Sequence, residues 1–515
     1  MKPVRMLSGI LTVSSWTLLS RILGFIRDVL IAGLIGPGPL MDAFVAAFRL
    51  PNMFRRFFAE GAFNAAFVPM FSKKLETGKD AAEFASLALS CLSIAVLILT
   101  GMAMVFMPAL VWLTAEGFHG DQRFDITVEF GRIVFPYIIF ISLAALFSGA
   151  LNAAGRFAAA AAAPVLLNVM LVAAMSAAWA TGHDVSLALV WTIPFAGVAQ
   201  LVLVWHAAGR AGIRIRPARP RWTPEISRLI KIAIPAALAG GVVQVNLLVG
   251  QLVASYYDNA ISWLYTADRL YQLPLGVIGI SIGIVLLPTL SRKLAEDDKV
   301  GGREALSRAA EIALALTIPA AVALIVIPYP LVSVLFQRGA FTEEDSVATA
   351  LALSIYGIGL PAFVLQKILQ PVFFARENTR SPLNYALISM FLNAILAVGL
   401  AIYIGWIATA IATVISAWVM VWLLIGGSRK YGKIAHFDDR FHSRIWKIIA
   451  VSVLTGVFLF SSSLILTPYF EIPGWRWLVL ILLFLLNIIL FFVVCFFLKV
   501  MNMSELSEAL HRKTH

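Results

Sequence analysis

Several arginines lie inside stretches of sequence that are otherwise almost entirely apolar. The first such stretch contains Arg21 and Arg27, the second contains Arg49 and Arg55, and a later one contains Arg269. An arginine at the centre of a lipid bilayer costs about 2.5–3.5 kcal/mol on insertion scales, so these side chains should face the interior of a helical bundle. The planar guanidinium group binds phosphate oxygens through two parallel hydrogen bonds. These residues therefore predict the binding of a diphosphate rather than a catalytic step.

Polar neighbours accompany the arginines at helical spacings. In the second stretch, intervals of three, four and four residues place four polar side chains in one stripe along a helix: Arg49, Asn52, Arg56 and Glu60. With Arg56 included, the three stretches hold six arginines against four acids, which are Asp28, Asp42, Glu60 and Asp268. Ion pairs such as Arg27 with Asp28 would lock helices together without a ligand. They leave a surplus of positive charge that water or a bound anion must meet.

The elements that must position these side chains are membrane-spanning helices. The chain has 515 residues, of which 60% are hydrophobic and 13% charged. Because apolar runs of about 18 or more residues recur along its length, the sequence predicts an all-α integral membrane protein. Apolar runs bounded by charged, glycine or proline clusters predict fourteen transmembrane helices, at 6–34, 40–72, 81–114, 124–154, 159–181, 185–208, 224–256, 260–291, 304–335, 345–375, 381–402, 405–427, 444–466 and 475–498.

The remaining residue types that could do chemistry are sparse. Cys91 and Cys495 lie inside apolar runs, and the seven histidines lie in or beside predicted loops, so we expect no disulfide, metal site or cofactor. The first apolar segment has no small-residue cleavage pattern, and we expect it to be retained. Other polar residues within the predicted helices are interpreted as hydrogen-bond partners between helices rather than ligands: Asn168, Gln244, Asn246, Gln251, Lys367, Gln370 and Asn393.

Basic residues are distributed unevenly between the two sets of predicted loops. One set contains most of them, including five arginines between the sixth and seventh helices, whereas the opposite set contains only Arg123, Arg338 and Arg476. By the positive-inside rule the first set is cytoplasmic, which predicts an inner-membrane protein with both termini in the cytoplasm. The same rule, together with attraction to anionic membrane lipids, explains the net charge of +12 better than nucleic-acid binding does.

A short motif occurs twice in the chain. Val68–Leu75 (VPMFSKKL) ends the second predicted helix, and Leu287–Leu294 (LPTLSRKL) ends the eighth. An alternative explanation of the motif is that proline and serine arose independently at the ends of two helices. The repeat predicts two six-helix lobes with a substrate path between them. The expected divisions are an N-terminal lobe, a basic cytoplasmic linker, a C-terminal lobe, and a region with a cytoplasmic loop and two additional helices, at 1–209, 210–223, 224–428 and 429–515.

Seven short motifs between residues 20 and 380 carry a family resemblance. They are Ser20–Asp28 (SRILGFIRD), Asp42–Phe44 (DAF), Leu50–Asn52 (LPN), Arg55–Phe63 (RRFFAEGAF), Ala267–Leu270 (ADRL), Gln337–Thr342 (QRGAFT) and Phe374–Thr379 (FARENT). Together they resemble the MurJ (MviN) family of lipid II flippases. The predicted number of helices agrees with that family as far as the C-terminus.

The resemblance implies the multidrug/oligosaccharidyl-lipid/polysaccharide exporter fold. It implies alternating access that carries lipid II, the lipid-linked peptidoglycan precursor, from the cytoplasmic to the periplasmic leaflet and so supports cell wall synthesis and cell shape. The last two helices would form a groove for the polyprenyl tail. The resemblance also places four arginines in a central cavity, with Asp28 beside them: Arg21, Arg27, Arg55 and Arg269. It implies that Asp42, Asn52 and Glu60 shape this cavity.

Two positions depart from the family pattern. Arg49 stands where some members have lysine, which keeps the charge, and Gln272 stands where some have glutamate, which puts a proton or ion role for that position in doubt. The expected substrate-binding residues are Arg21, Arg27, Asp28, Arg49, Asn52, Arg55 and Arg269. The expected cavity-shaping or gating residues are Asp42, Glu60, Asp268 and Gln272.

Other classes of protein fit the residues less well. An exporter of cationic drugs would need acids in its cavity, whereas these stretches are net basic. A membrane-embedded glycosyltransferase would need a catalytic carboxylate near the membrane surface, and solvated loops explain the acids found there. A scaffold gives no reason for intramembrane arginines. The alternative that remains is an exporter of another anionic polyprenyl-linked glycan. We expect a monomeric transporter without enzymatic activity.

Overall fold

The protein is described by a computed structural model that covers residues 3–55, 62–78, 80–470, 472 and 474–498. Throughout this part of the chain the regular structure is helical, with three short 3-10 segments and no strand. The chain divides into two compact units. Unit 1 comprises Met1–Ser262 together with Arg338–Phe341, and unit 2 comprises Trp263–Gln337 together with Thr342–His515.

Unit 1 contains ten helices and the first residues of an eleventh. They are α1 (Pro3–Leu34), α2 (Pro39–Arg55), α3 (Ala62–Thr77), α4 (Ala81–Val105), α5 (Met107–Thr114), α6 (Gln122–Val134), α7 (Tyr137–Ala153), α8 (Ala158–Thr181), α9 (Val185–Arg210), α10 (Pro224–Ala254) and the start of α11 (Ala260–Ala295). Within this unit α8 packs against α1 and α9, and α3 packs against α7 and α10. Stacked rings of Phe67, Phe71 and Phe84 lie in its core.

Unit 2 contains most of α11 and the remaining helices. They are α12 (Lys299–Val326), α13 (Pro328–Phe336), α14 (Glu343–Phe374), α15 (Arg380–Ile404), α16 (Ala408–Ser428), α17 (Asp439–Phe470) and α18 (Trp475–Phe497). Here α14 packs against α12 and α16, and α17 packs against α12 and α18.

Capping side chains in the sequence determine where several helices begin. The Asp184 carboxylate accepts hydrogen bonds from the backbone N–H groups of Ser186 and Leu187 at the start of α9. Thr342 and Asp345 form a capping box at the start of α14. Because the first N–H groups of a helix have no partner within the helix, such side chains satisfy donors that would otherwise be unpaired.

Three of the predicted membrane helices are broken rather than continuous. The predicted helix 81–114 divides into α4 and α5 at Phe106, and 304–335 divides into α12 and α13 at Ile327. The predicted helix 124–154 divides into α6 and α7 beside Pro136. In the first two cases a proline occupies the first turn of the second segment. Since proline has no N–H to donate to the preceding turn, it begins a helix more readily than it continues one.

The helices present apolar side chains outward, as a lipid environment requires. Among the residues that the structure describes, nine spans are long and apolar enough to cross a membrane. Large exposed apolar side chains occur along them, for example Val105, Trp422 and Ile465. In addition α1, α10 and α11 have 32, 31 and 36 residues, which exceeds the length needed to cross a hydrocarbon core of about 30 Å. The chain is therefore a multi-pass membrane protein.

The compact units do not follow the lobe boundary suggested by the sequence repeat. Unit 1 extends through α10 as far as Ser262, because α10 packs against α3, α4 and α5. The predicted lobe and linker boundaries at 209, 223 and 428 were derived from a sequence repeat and not from the packing of the helices. They stay predictions. Pro69 and Pro288, which define the repeat, lie inside α3 and α11 respectively.

A short segment connecting α13 and α14 belongs to unit 1 although both of these helices belong to unit 2. The N–H of Ala340 donates to the Gly33 carbonyl near the end of α1, at 2.9 Å. Gly339 has φ of +55°, and Gly36 has φ of +70°. A Cβ on Gly36 would overlap the backbone of Ala340. Glycine is therefore needed on both sides of this contact, for its backbone conformation and for the close approach.

A buried glutamate connects the start of α17 to α12 in unit 2. Glu311 of α12 has only 7% of its side chain exposed and contacts three arginines: Arg308, Arg440 at 3.6 Å and Arg444 at 3.5 Å. Arg308 also pairs with Asp438, just before α17. The backbone N–H of Asp438 donates to the Ser307 hydroxyl at 3.0 Å. These contacts fix the start of α17 against α12.

Candidate functional site

The Arg27 side chain on α1 donates hydrogen bonds from all three of its guanidinium nitrogens. Its Nε and Nη2 donate to Asp28 Oδ1 at 3.1 and 2.7 Å, and its Nη1 donates to Asn168 Oδ1 of α8 at 2.9 Å. The Arg27 side chain is 14% exposed. The ion pair of Arg27 with Asp28, which the sequence suggested as an alternative to ligand binding, is thus present. A second partner, the neutral amide of Asn168, also takes part and leaves the net charge of the cluster unchanged.

Arg21 lies on the same helix without an acidic partner. It is half-buried, and among the described residues no acid lies within ion-pair distance of it. Keeping a guanidinium away from water without a counter-ion is costly, so its positive charge needs water or an anion. In α1, positive charge therefore exceeds the negative charge that Asp28 supplies.

The arginines of α2 have different partners again. Arg49 Nη1 donates to the Leu247 carbonyl of α10 at 3.2 Å. Arg55 Nε donates to Asn52 Oδ1 at 3.2 Å, so these two residues lie together as their spacing of three predicts. Arg56 and Glu60 lie outside the described residues. The part of the predicted polar stripe that Arg56 and Glu60 would form therefore stays a prediction.

Asp42 is fully buried at the start of α2 and is held from two directions. Its Oδ1 accepts from the Ser262 N–H at 2.9 Å and from the Ser262 hydroxyl at 2.5 Å. Arg123 Nη1 lies 3.6 Å from Asp42 Oδ2, and Arg123 also pairs with Asp258 at 3.1 Å and with Asp121. This network joins α2, the start of α6 and the turn that leads into α11.

The predicted residues of unit 2 occupy consecutive turns of α11. The Arg269 guanidinium lies 4.4 Å from the centre of the Tyr265 ring, a cation–π contact one turn away. Gln272 Nε2 donates to Asp268 Oδ2. Gln272 thus provides a neutral donor to this carboxylate, where a glutamate would bring a second acid. Tyr271 is packed against Tyr356 and Phe363 of α14.

An apolar cavity lies between α12 and α17 in unit 2. Its volume is about 300 Å³, and its lining side chains are all hydrophobic: Val322, Ile325, Val326, Val453, Val457 and Phe460. Gly456 also lines it, and a Cβ there would overlap Val322. The lining can bind a hydrocarbon chain but offers no polar group to a headgroup.

Three residues that hold the predicted ones were not assigned to the site from the sequence. Asn168 was predicted as a hydrogen-bond partner between helices, and its bonds to Ser20 and Arg27 confirm this. Arg123 was interpreted only as a basic residue of an outer loop, and Tyr265 was not selected. The spacing of four between Tyr265 and Arg269 could have indicated their contact. No local pattern indicates the other two, because their partners lie on distant helices. Within the described residues, no three His, Cys, Asp or Glu side chains are grouped to bind a metal ion.

The long and broken helices, the arginines within them and the apolar outer surface define a polytopic helical membrane protein. Its fold is shared with a multidrug transporter of the MATE family solved in an inward-facing conformation, at a TM-score of 0.68 and 16% identity, covering 82% of this chain and 97% of that one. An outward-facing structure of a MATE transporter matches at a TM-score of 0.57 and 16% identity, covering 82% and 95%.

More specific relatives identify the family. The model of the family described as lipid II flippase MurJ matches residues 31–502, so the chain belongs to the MurJ family. A probable lipid II flippase MurJ of Rhizobium tropici is 40% identical, with 98% of this chain and 96% of that protein covered. Another, of Rhizobium meliloti, is 47% identical over 80% of this chain and 78% of that protein. A lipid II flippase MurJ solved in an inward closed conformation matches at a TM-score of 0.78 and 26% identity, covering 95% and 98%.

Proposed function

We propose that this chain translocates lipid II from the cytoplasmic to the periplasmic leaflet of the bacterial inner membrane by alternating access. Membership of the MurJ family supports the substrate. The inward-facing and outward-facing transporters that share the fold support the mechanism. The observation that carries the proposal is the placement of arginines inside helices of both units, with Arg27 held by Asp28 and Asn168 while Arg21 has no acid partner among the described residues.

The diphosphate of lipid II is the group that these arginines suit. Guanidinium forks match phosphate oxygens, and an environment poor in water strengthens the contact. We assign substrate binding to Arg21, Arg27, Asp28, Arg49, Asn52, Arg55 and Arg269. Four residues are assigned to shaping or gating the cavity: Asp42, Glu60, Asp268 and Gln272. For Asp42, the pairing with Arg123 and Ser262 supports a gating role.

The polyprenyl tail is assigned to the apolar surface beside the last two helices. The cavity between α12 and α17 has a wholly hydrophobic lining, and a Cβ on Gly456 would overlap Val322 in it. The remaining assignments are fourteen transmembrane helices, two repeated six-helix lobes joined at 210–223, cytoplasmic termini and a monomeric state. The distribution of basic loop residues supports the orientation.

A cell depleted of its own lipid II flippase tests the proposal. The full chain should restore growth, and it should restore the access of a periplasmic enzyme to lipid II. Arg27→Ala or Arg269→Ala should abolish both while the protein remains in the membrane at the wild-type level. Arg221→Ala is the control, since Arg221 is exposed in the linker outside the assigned site.

Two results would contradict the proposal at different points. Full activity of Arg27→Ala and Arg269→Ala would remove the arginines from the substrate site. If the wild-type chain inserts normally but lipid II stays inaccessible, the substrate assignment is wrong. Other anionic polyprenyl-linked glycans would then be tested in the same cells.

A further inference from the structure

Asn168 of α8 connects two points on α1. Its side chain is buried, with 6% exposed. The amide nitrogen Nδ2 donates to the Ser20 carbonyl at 3.0 Å and lies 3.4 Å from the Ser20 hydroxyl. The amide oxygen Oδ1 accepts from Arg27 Nη1 at 2.9 Å. One side chain on α8 therefore spans two turns of α1.

The sequence of α1 makes room for this amide. Ser20, Gly24 and Arg27 are spaced by four and three residues, so they lie on one face of the helix. A Cβ placed on Gly24 would lie 3.5 Å from Asn168 Nδ2. This is ordinary contact for one carbon atom, but it leaves no room for a longer side chain. Gly24 thus has a packing role between the two polar contacts.

The orientation of the amide follows from its partners. The Ser20 carbonyl can only accept a hydrogen bond, so the NH₂ group of Asn168 must face it. The amide oxygen is then directed to Arg27. Asp28 meanwhile accepts from Arg27 Nε and Nη2, so contacts on three nitrogens fix the plane of the Arg27 guanidinium. An aspartate at 168 would lack the donor, and an alanine would lack both groups.

We propose that Asn168 is a positioning residue that orients the Arg27 guanidinium for the diphosphate of the substrate. The proposal rests on the proposed function, in which Arg27 contacts lipid II. Asn168 itself does not need to touch the substrate. A neutral amide can hold the guanidinium without reducing its charge, whereas a second carboxylate would compete with the diphosphate for it.

A double-mutant cycle on the purified full chain tests the proposal. The measured quantities are the dissociation constant for lipid II and the melting temperature of the protein. Asn168→Ala should weaken binding by about tenfold, the size expected for one hydrogen bond to a charged group. In the Arg27→Ala background the same change should have no further effect on binding, because there is no guanidinium left to orient.

Two further variants separate positioning from a general loss of structure. Asn168→Asp keeps the size of the side chain and should weaken binding at least as much as Asn168→Ala. Gln200→Ala removes another buried amide of unit 1, which donates to the Ala163 carbonyl of α8 at 2.7 Å and has no contact with Arg27. It should lower the melting temperature while the dissociation constant for lipid II stays at the wild-type value.

The outcomes distinguish this inference from the proposed function. If Arg27→Ala binds lipid II like the wild type, the assigned substrate site is wrong. If Arg27→Ala loses binding but Asn168→Ala and Asn168→Asp keep it, only the positioning role is overturned. Equal weakening by Asn168→Ala in the presence and absence of Arg27 would also overturn it, because the effect would then be structural.

Discussion

Arginines cluster in both units, but their surroundings differ. In unit 2, three arginines converge on the buried carboxylate of Glu311, and Arg308 is shared with Asp438. In unit 1, Arg27 pairs with Asp28 and with the neutral amide of Asn168, and Arg21 has no acid partner among the described residues. The protein supplies the anion at Glu311 itself, whereas α1 has positive charge that an external anion can meet. An arginine cluster thus indicates a ligand site only when its own acids do not account for it.

The largest expected difference between the two clusters concerns stability. Glu311→Ala leaves the arginines around it without their shared acid, and breaking a buried pair of this kind costs about 3–5 kcal/mol. We expect a lower melting temperature and less protein in the membrane, with unchanged lipid II affinity in the molecules that remain folded. Glu304→Ala, an exposed glutamate on the same helix, is the control. If Glu311→Ala keeps its melting temperature and loses lipid II binding, the two clusters share one role.

Lysine substitutions should have smaller effects, and here the arginine of unit 1 rather than that of unit 2 should be the sensitive one. Arg27→Lys keeps the charge but loses the fork, so lipid II binding should weaken by about tenfold with little change in melting temperature. Arg444→Lys should change neither quantity appreciably, because a lysine keeps the positive charge that Arg444 places 3.5 Å from Glu311. Comparable binding by Arg27→Lys and the wild type would reduce Arg27 to a simple point charge.

The smallest expected effect concerns the aromatic support of Arg269. Tyr265→Leu removes a cation–π contact worth about 0.5–1 kcal/mol, which corresponds to lipid II binding weaker by about two- to fivefold. Tyr265→Phe retains the ring and should bind like the wild type. If the phenylalanine and leucine variants weaken binding equally, the hydroxyl group of Tyr265 rather than its ring supports the site.

Local sequence patterns predicted the all-helical membrane fold and indicated contacts between residues of the same helix. The motif at 20–28 lies on α1, where the ion pair of Arg27 with Asp28 that the sequence suggested is present. Asn52 and Arg55 of α2 also form a hydrogen bond, at a spacing of three residues. These contacts depend on spacings within one helix, which a sequence displays directly. The breaks at Phe106 and Ile327 were missed because the apolar run continues across each of them.

Contacts between distant helices could not be predicted in the same way. Asn168 is 141 residues from Arg27, and Arg123 is 81 positions from Asp42. Nothing in a local pattern decides which buried amide lies beside which arginine, because that depends on how α1 packs against α8. The sequence thus indicated the residues that carry charge but not the residues that orient them.

The segment Arg338–Phe341 has a consequence for any attempt to divide the chain. A fragment that ends at Ser262 lacks these residues, so Gly33 would lose the N–H of Ala340 and the end of α1 would be left uncovered. A fragment that begins at Trp263 contains the segment but not the helix against which it packs. In a fragment complementation experiment, the second fragment would therefore have to supply this segment to the first in trans. Although the protein divides into two compact units, a single cut in the sequence does not separate one unit from the other.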